Sequence, residues 1–204
     1  MEVDNCRERT AIVLLNEIYG INRHISDMGR KFEELGFDAY FMNYLDGKVF
    51  GYEESEAAYS YFMDNVGFEK AGRVVLEFLK SIRNKYEKIY LVGYSIGATV
   101  AWLCSEEHEM LDGIVGYYGS RIRDFLDINP QVETLLFFPK KEKSFEIDEL
   151  VGKLNNKDKI NTMILEGMHG FADAYSPNYN KVSKEMSERF LIEFISKQTK
   201  FKNK

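Results

Sequence analysis

Apolar residues in this chain fall in short runs separated by amphipathic stretches of helix length. Thr10–Leu15 is a β-branched, apolar run, the pattern of a strand buried on both faces. Asn16–Asn22 reads as a turn-rich loop. From Arg23 to Leu35 the apolar residues Ile25, Met28, Phe32 and Leu35 recur at helical steps, and Gly36 sits where a helix-ending glycine belongs. The alternation then repeats. Strands are predicted at Ala39–Tyr44, Lys88–Val92, Gly113–Tyr118, Thr134–Phe138 (stopped by Pro139) and Thr162–Leu165. Helices are predicted at Val66–Tyr86, Ile96–Glu107, Ile147–Leu154 and Val182–Lys197, the last with Met186, Phe190, Leu191, Phe194 and Ile195 turned inward. Residues 45–65 read as irregular, aromatic and acidic.

Six strand-like runs separated by helices predict an α/β fold, a mostly parallel sheet of about six strands with helices on both faces. A length of 204 residues and the lack of any linker-like stretch predict a single domain, with 1–9 and 198–204 as frayed tails.

Composition narrows the classes. The chain is 45% hydrophobic and 29% charged, unlike a disordered chain. A net charge of −6 without a long basic run argues against nucleic-acid binding. Apolar runs such as Ala11–Leu15 are far shorter than the ~20 residues of a membrane span, and Met1–Asn5 does not open a signal peptide. Cys6 and Cys104 cannot make a disulfide framework and have no metal-ligand spacing. These features predict a cytoplasmic protein with no membrane partner.

Ligands of a parallel sheet gather at the carboxyl ends of its strands. There the strand from Lys88 delivers Gly93-Tyr94-Ser95-Ile96-Gly97, a G-x-S-x-G followed at once by a predicted helix. A strand, a tight turn and a helix form the context in which that motif exposes a serine Oγ as a nucleophile. The turn also lacks the Gly-Lys-Ser/Thr ending of a phosphate-binding loop. A nucleophilic serine needs a base, and the chain offers three histidines. His108 lies in an acidic helix end and reads as solvated. His24 opens the first helix and reads as packing. His169, in Met168-His169-Gly170-Phe171, follows the last strand and reaches the same sheet edge as Ser95. The carboxylate that orients it is expected after the strand Thr134–Phe138, where Glu142, Glu146 and Asp148 compete. Glu142 lies closest to the strand end and is favoured. Oxyanion donors are expected from the amides of Ile96, after the serine, and Ile18, in the first loop. Glu17, Tyr19, Tyr94 and Phe171 lie on the loops that carry these groups and are expected to line the pocket.

Three stretches resemble the dienelactone hydrolase-like family of the α/β-hydrolase superfamily. They are Asn16-Glu17-Ile18-Tyr19-Gly20-Ile21-Asn22-Arg23-His24-Ile25, Tyr117-Tyr118-Gly119 and Met168-His169-Gly170-Phe171; with the Ser95 turn the likeness runs from about Thr10 to Phe194. The resemblance implies an α/β-hydrolase fold, trimmed at its N-terminus from the eight strands of fuller members. It also implies roles for Glu17, Ile18, Ser95, Ile96 and His169 like those above. Two departures stand out. The family's type member has a cysteine nucleophile where this chain has Ser95, and the family's acid is an aspartate in a Gly-x-x-Asp loop where this chain has Pro139-Lys140-Lys141-Glu142. Arg121 and Arg123 lie at the same edge, as substrate contacts or as surface residues.

The expected activity is hydrolysis of a carboxylic ester, lactone or thioester through an acyl-enzyme, with a small acyl substrate, no metal and no organic cofactor, in a monomer or homodimer. The alternative is a binding or scaffolding protein that keeps the fold around a degenerate site.

Overall fold

The computed structural model describes residues 9–142 and 145–198. The predicted tails therefore fall outside the described residues, apart from Arg9 and Gln198, as does Cys6. Arg9 is tied down: its carbonyl accepts the Glu87 amide at 2.9 Å and its guanidinium lies 3.3 Å from Asp38.

Among the described residues six parallel strands form one sheet in the order β2-β1-β3-β4-β5-β6. The strands are β1 Thr10–Leu15, β2 Asp38–Met42, β3 Lys88–Tyr94, β4 Gly113–Tyr117, β5 Glu133–Lys141 and β6 Ile160–Met168. The helices are α1 Arg23–Glu34, α2 Ser55–Asn65, α3 Gly67–Ile82, α4 Ile96–Leu103, α5 Ile147–Leu154 and α6 Lys181–Gln198.

Every residue of β1 is buried, as its unbroken apolar run required. Alternate side chains feed opposite layers. Ala11, Val13 and Leu15 meet Val75, Leu79 and Val100 of α3 and α4, whereas Ile12 and Leu14 meet Ile25 and Phe32 of α1. Leu191 and Ile195 of α6 join the α1 face. Leu150 and Leu154 of α5 pack with Leu136 and Phe138 on the opposite face, next to Trp102 of α4. Among the described residues no helix is long and apolar enough to cross a membrane.

Several local expectations change. Residues 55–65, expected to be irregular, form α2. Only Ala58 and Phe62 of this helix are buried, so it presents no apolar stripe for periodicity to detect. The helix expected from Val66 begins at Gly67 and gives way at Arg83 to a short 3-10 turn. The helix predicted to reach Glu107 ends at Leu103. In α6, Met186 points outward, 38% exposed, and Ser183, Ser187 and Glu188 are buried in its place. Their polar atoms have partners there: Ser183 Oγ donates to the Glu166 carbonyl at 2.6 Å, and Glu188 binds Lys31 and Lys184, each at 2.7 Å.

Pro139 does not stop β5. The strand runs on to Lys141, with a shift of register against β6 between Pro139 and Lys141. Beyond the shift Lys141 pairs with Met168. The next residues, Glu142 and His169, therefore leave the sheet side by side.

The strand order reverses between β1, which feeds β2 on one side, and β3 on the other. The β3-to-α4 turn is tight there. A Cβ on Gly97 would come within 2.3 Å of the Leu15 carbonyl oxygen, and one on Gly93 within 2.3 Å of the Gly97 carbonyl oxygen. Gly97→Ala should therefore lower unfolding stability by about 1–3 kcal/mol in urea titration. A variant as stable as the parent would show that α4 can retreat from β1.

Candidate active site

Ser95 sits between β3 and α4 with φ 53° and ψ −112°, a strained conformation for a residue with a side chain. The turn is held from three directions. The Ser95 amide donates to the Tyr117 carbonyl at 2.9 Å, its carbonyl accepts from Thr99 at 3.2 Å, and the two glycines admit the close crossing described above. Ser95 is partly buried at the start of α4.

His169 comes to it from the loop after β6. Its Nε2 lies 2.9 Å from Ser95 Oγ, and its Nδ1 lies 2.7 Å from Glu142 Oε1. Serine, imidazole and carboxylate thus form one hydrogen-bonded chain from three remote parts of the sequence. The Glu142 side chain is 8% exposed. Glu146 and Asp148 instead begin α5. Burial pushes the His169 pKa down, but the hydrogen bond and charge of Glu142, with the charge of Glu17, leave it raised overall.

The loop after β1 closes the other side. Gly20 donates to the Glu17 carbonyl at 3.1 Å, a turn whose own hydrogen bond does not use the Ile18 amide. Tyr44 Oη and Asn16 Nδ2 hold this loop through the carbonyls of Asn16 and Glu17, at 2.5 and 2.7 Å. Ile96 is the first residue of α4, so its N–H has no acceptor within the helix. Both Ile18 and Ile96 line the space beside Ser95.

Two cavities flank the Ser95–His169 pair. One, of about 260 Å³, is walled by Glu17, Tyr19, Tyr52, Glu142 and Asn178. The other, of about 340 Å³, is walled by Ile18, Tyr59, Ile96, Ser120, Arg121 and Arg123. Tyr94 and Phe171, expected to line the pocket, do not. They are 1% and 0% exposed and belong to an aromatic floor beneath it, Tyr94 stacked on Tyr117 at 4.7 Å and Phe171 edge-on to Tyr118 at 5.4 Å. Both neighbour residues of the site in sequence, but strand alternation and the turn after His169 point their rings into the core. The arginines are partly committed to Asp124: Arg121 Nε lies 2.8 Å and Arg123 Nε 3.9 Å from it. A larger cavity of about 400 Å³ opens at the amino ends of β5 and β6, beside Phe190 and Phe194, far along the strands from Ser95.

His24 and His108 do not join the hydrogen-bonded chain of Ser95, His169 and Glu142. His108 is exposed, and His24 is buried edge-on to Tyr94 at 4.6 Å. Tyr52, Tyr59 and Asn178 were not anticipated. Nothing in their local pattern separates a wall residue from a surface one, and Tyr52 belongs to the segment read as irregular. Among the described residues no group of three or more His, Cys, Asp or Glu could hold a metal ion.

Glu17 is 4% exposed and faces the site. Burial, then the charge of Asp173, raises its pKa from 4.5 to about 7, against the opposing effects of His169 and Tyr118. At neutral pH a large share of it is therefore a neutral acid.

This architecture is the α/β-hydrolase fold, and solved structures share it. A dienelactone hydrolase-like promiscuous phosphotriesterase, P91, from metagenomic libraries superposes with a TM-score of 0.74 at 17% identity, over 98% of this chain and 90% of that one. A protein of Klebsiella pneumoniae subsp. pneumoniae MGH 78578 assigned to the dienelactone hydrolases superposes at 0.78 with 16% identity, over 96% and 89% of the two chains. In sequence, YczH, an uncharacterized protein of Bacillus subtilis (strain 168), is 36% identical over 173 residues, 83% of this chain and 84% of YczH. Residues 2–199 match the dienelactone hydrolase family, and the chain belongs to that family of hydrolases.

The protonation of Glu17 has a measurable consequence for stability. The folded protein holds a proton that the unfolded chain releases, so the contribution of this group falls as pH climbs from about 4.5 to about 7 and stays low above that. The span corresponds to on the order of 3 kcal/mol. Glu17→Gln should therefore gain stability over the parent at pH 8 relative to pH 5 in paired urea titrations. An equal difference at both pH values would show that Glu17 ionises normally.

Proposed function

We propose that the protein is a serine hydrolase of carboxylic esters, lactones or thioesters, working through an acyl-enzyme. The observation that carries this reading is the continuous chain from Ser95 Oγ through His169 to Glu142, with links of 2.9 and 2.7 Å, at the strained β3–α4 turn.

Ser95 Oγ attacks the substrate carbonyl while His169 Nε2 takes its proton. Glu142, on Nδ1, holds the tautomer that leaves Nε2 free to accept and stabilises the imidazolium that forms. The carbonyl oxygen becomes an oxyanion, received by the amides of Ile96 and Ile18, at the positive end of α4. The intermediate collapses, the leaving oxygen or sulfur takes the proton from His169, and the acyl group stays on Ser95. Water then repeats the sequence with His169 as its base and frees the acid. The two small flanking cavities suit a compact acyl group on one side and its leaving group on the other. Glu17 serves this chemistry as a neutral acid, because a carboxylate beside the oxyanion would oppose it. The family and its hydrolase fold support the same class of reaction. The name of P91 makes phosphotriesters a sensible second substrate set.

A fluorophosphonate probe should label Ser95 in the folded protein, and p-nitrophenyl acetate should be hydrolysed. Ser95→Ala should lose about 10⁵–10⁶ of kcat and all labelling while unfolding at the parent temperature. A folded parent that neither labels nor turns over short acyl esters would sink the reading.

The pH profile offers a separate check. The acid limb of kcat/KM should lie above the ordinary histidine value, because His169 must be neutral to act as a base. Glu142→Gln should move that limb to lower pH and cut kcat by up to about 10⁴. An alkaline limb near the Glu17 pKa of about 7 should vanish in Glu17→Gln. Limbs that ignore both substitutions would remove these side chains from the reaction.

A further inference from the structure

We propose that Asp173 is a positioning residue of this site: its buried carboxylate fastens the loop that carries His169 to Tyr52, a wall of the cavity beside Ser95. The inference rests on the serine-hydrolase reading and adds to it a residue outside the Ser95–His169–Glu142 chain.

The loop from His169 to Asn180 has no strand to hold it. It is a succession of turns, with Phe171 donating to Met168, Asp173 to Gly170 and Ser176 to Asp173, each at 3.1 Å. Gly170, at φ 86°, lets the chain double back against Ser176. Such a loop needs tertiary anchors if it is to hold an imidazole within hydrogen-bond reach of a serine. Asn178 Nδ2, on the His169 carbonyl at 2.8 Å, braces the loop internally, and Tyr175 Oη, donating to Asp27 Oδ2 of α1 at 2.5 Å, is one such anchor.

Asp173 is a second anchor, and unlike the exposed Tyr175 it is fully buried. Its Oδ2 accepts the hydroxyl proton of Tyr52, and its Oδ1 accepts the Tyr175 amide at 2.8 Å. His24 Nδ1 of α1 lies 3.9 Å from the same Oδ1, with an imidazole that burial keeps toward its neutral form. Tyr52 is also a wall of the 260 Å³ cavity, with its ring 4.7 Å from that of Tyr19. One carboxylate thus joins the loop of the candidate base to the cavity wall, and Tyr52 in turn accepts from Asn22 Nδ2, at the N-cap of α1, at 3.4 Å. Tyr52 lies 121 positions from Asp173 in the chain, which is why neither residue signals the pairing by sequence.

The charge matters as well as the tether. Glu17 is faced by Asp173 and His169, and by the hydroxyl of Tyr118. Tyr19, Tyr44, Tyr52 and Tyr94 also feel its charge, but as phenols they are neutral at working pH. Behind Asp173, His24 is faced by Lys184 and Glu188 of α6 and by Asp27 of its own helix, and Lys184 and Glu188 pair with each other. Asp173 is therefore the nearby anion that opposes ionisation of Glu17.

The test is the rate of Ser95 labelling by a fluorophosphonate from pH 5 to 10, with melting temperatures recorded alongside. Asp173→Asn keeps the size and one acceptor oxygen but removes the charge. It should label at least about tenfold more slowly than the parent at its optimum. Its alkaline limb should also move to lower pH by on the order of one unit, since Glu17 then ionises more easily. Slower labelling with an unmoved alkaline limb would mean that Asp173 only supports the fold, and the proposal would be wrong. If Asp173→Asn does not fold, Tyr52→Phe decides: it removes only the hydroxyl that Asp173 accepts. Severalfold slower labelling at a parental melting temperature supports the latch, and unchanged labelling overturns it. A parent that is never labelled removes the serine reading itself, whereas a labelled parent with unaffected variants removes only the role of Asp173.

Discussion

The close crossing of α4 over the ends of β1 and β3 is the constraint on which the rest of this molecule depends. At Gly93 and Gly97 backbone meets backbone with no room for a side chain, the nearest carbonyl standing 2.3 Å from where a Cβ would be. That proximity forces the intervening turn to close sharply, and Ser95 takes the conformation of positive φ that results. Strain of this kind costs of order 1–3 kcal/mol and persists because buried strands on both sides hold it in place. The same crossing sets the Ile96 amide at the start of α4 beside the loop that carries Ile18.

Around that turn the molecule gathers three carboxylates, with Lys141 on the wall of one cavity and Arg121 and Arg123 on the wall of the other. Glu142 holds His169, Asp173 lies behind the histidine loop, and Glu17 faces the cavity. Three ionised carboxylates at such close quarters would repel one another. The structure resolves the conflict by giving each a different environment. Glu142 has an imidazole as its partner, Asp173 accepts from a phenol and an amide, and Glu17 is left in a setting where its neutral form is favoured.

Much of this was legible in the sequence. The unbroken apolar runs of β1 and β3, the amphipathic stripes of α1, α3 and α5, and the glycines around Ser95 report local requirements, and local requirements leave local marks. So does the position of His169 just past a strand. The exceptions have physical causes. In α2 most side chains face solvent, so its helical period is invisible. In α6 buried serines and a paired glutamate replace the apolar residue expected there. Pro139 reads as a stop, but the strand runs past it with a shift of register, and that extension brings Glu142 beside His169.

By itself, then, the sequence determined the parallel α/β sheet, the strand-turn-helix at Ser95 and the histidine at the same edge, because each follows from backbone sterics or from burial along a few consecutive residues. Only the tertiary structure decided which of three acids met the histidine, which aromatic rings lined the cavities and which formed their floor, and that Asp173 and Tyr52 would join. Those outcomes depend on strand register and on chain segments that meet across the whole fold, and no short stretch of sequence encodes a distance between two others.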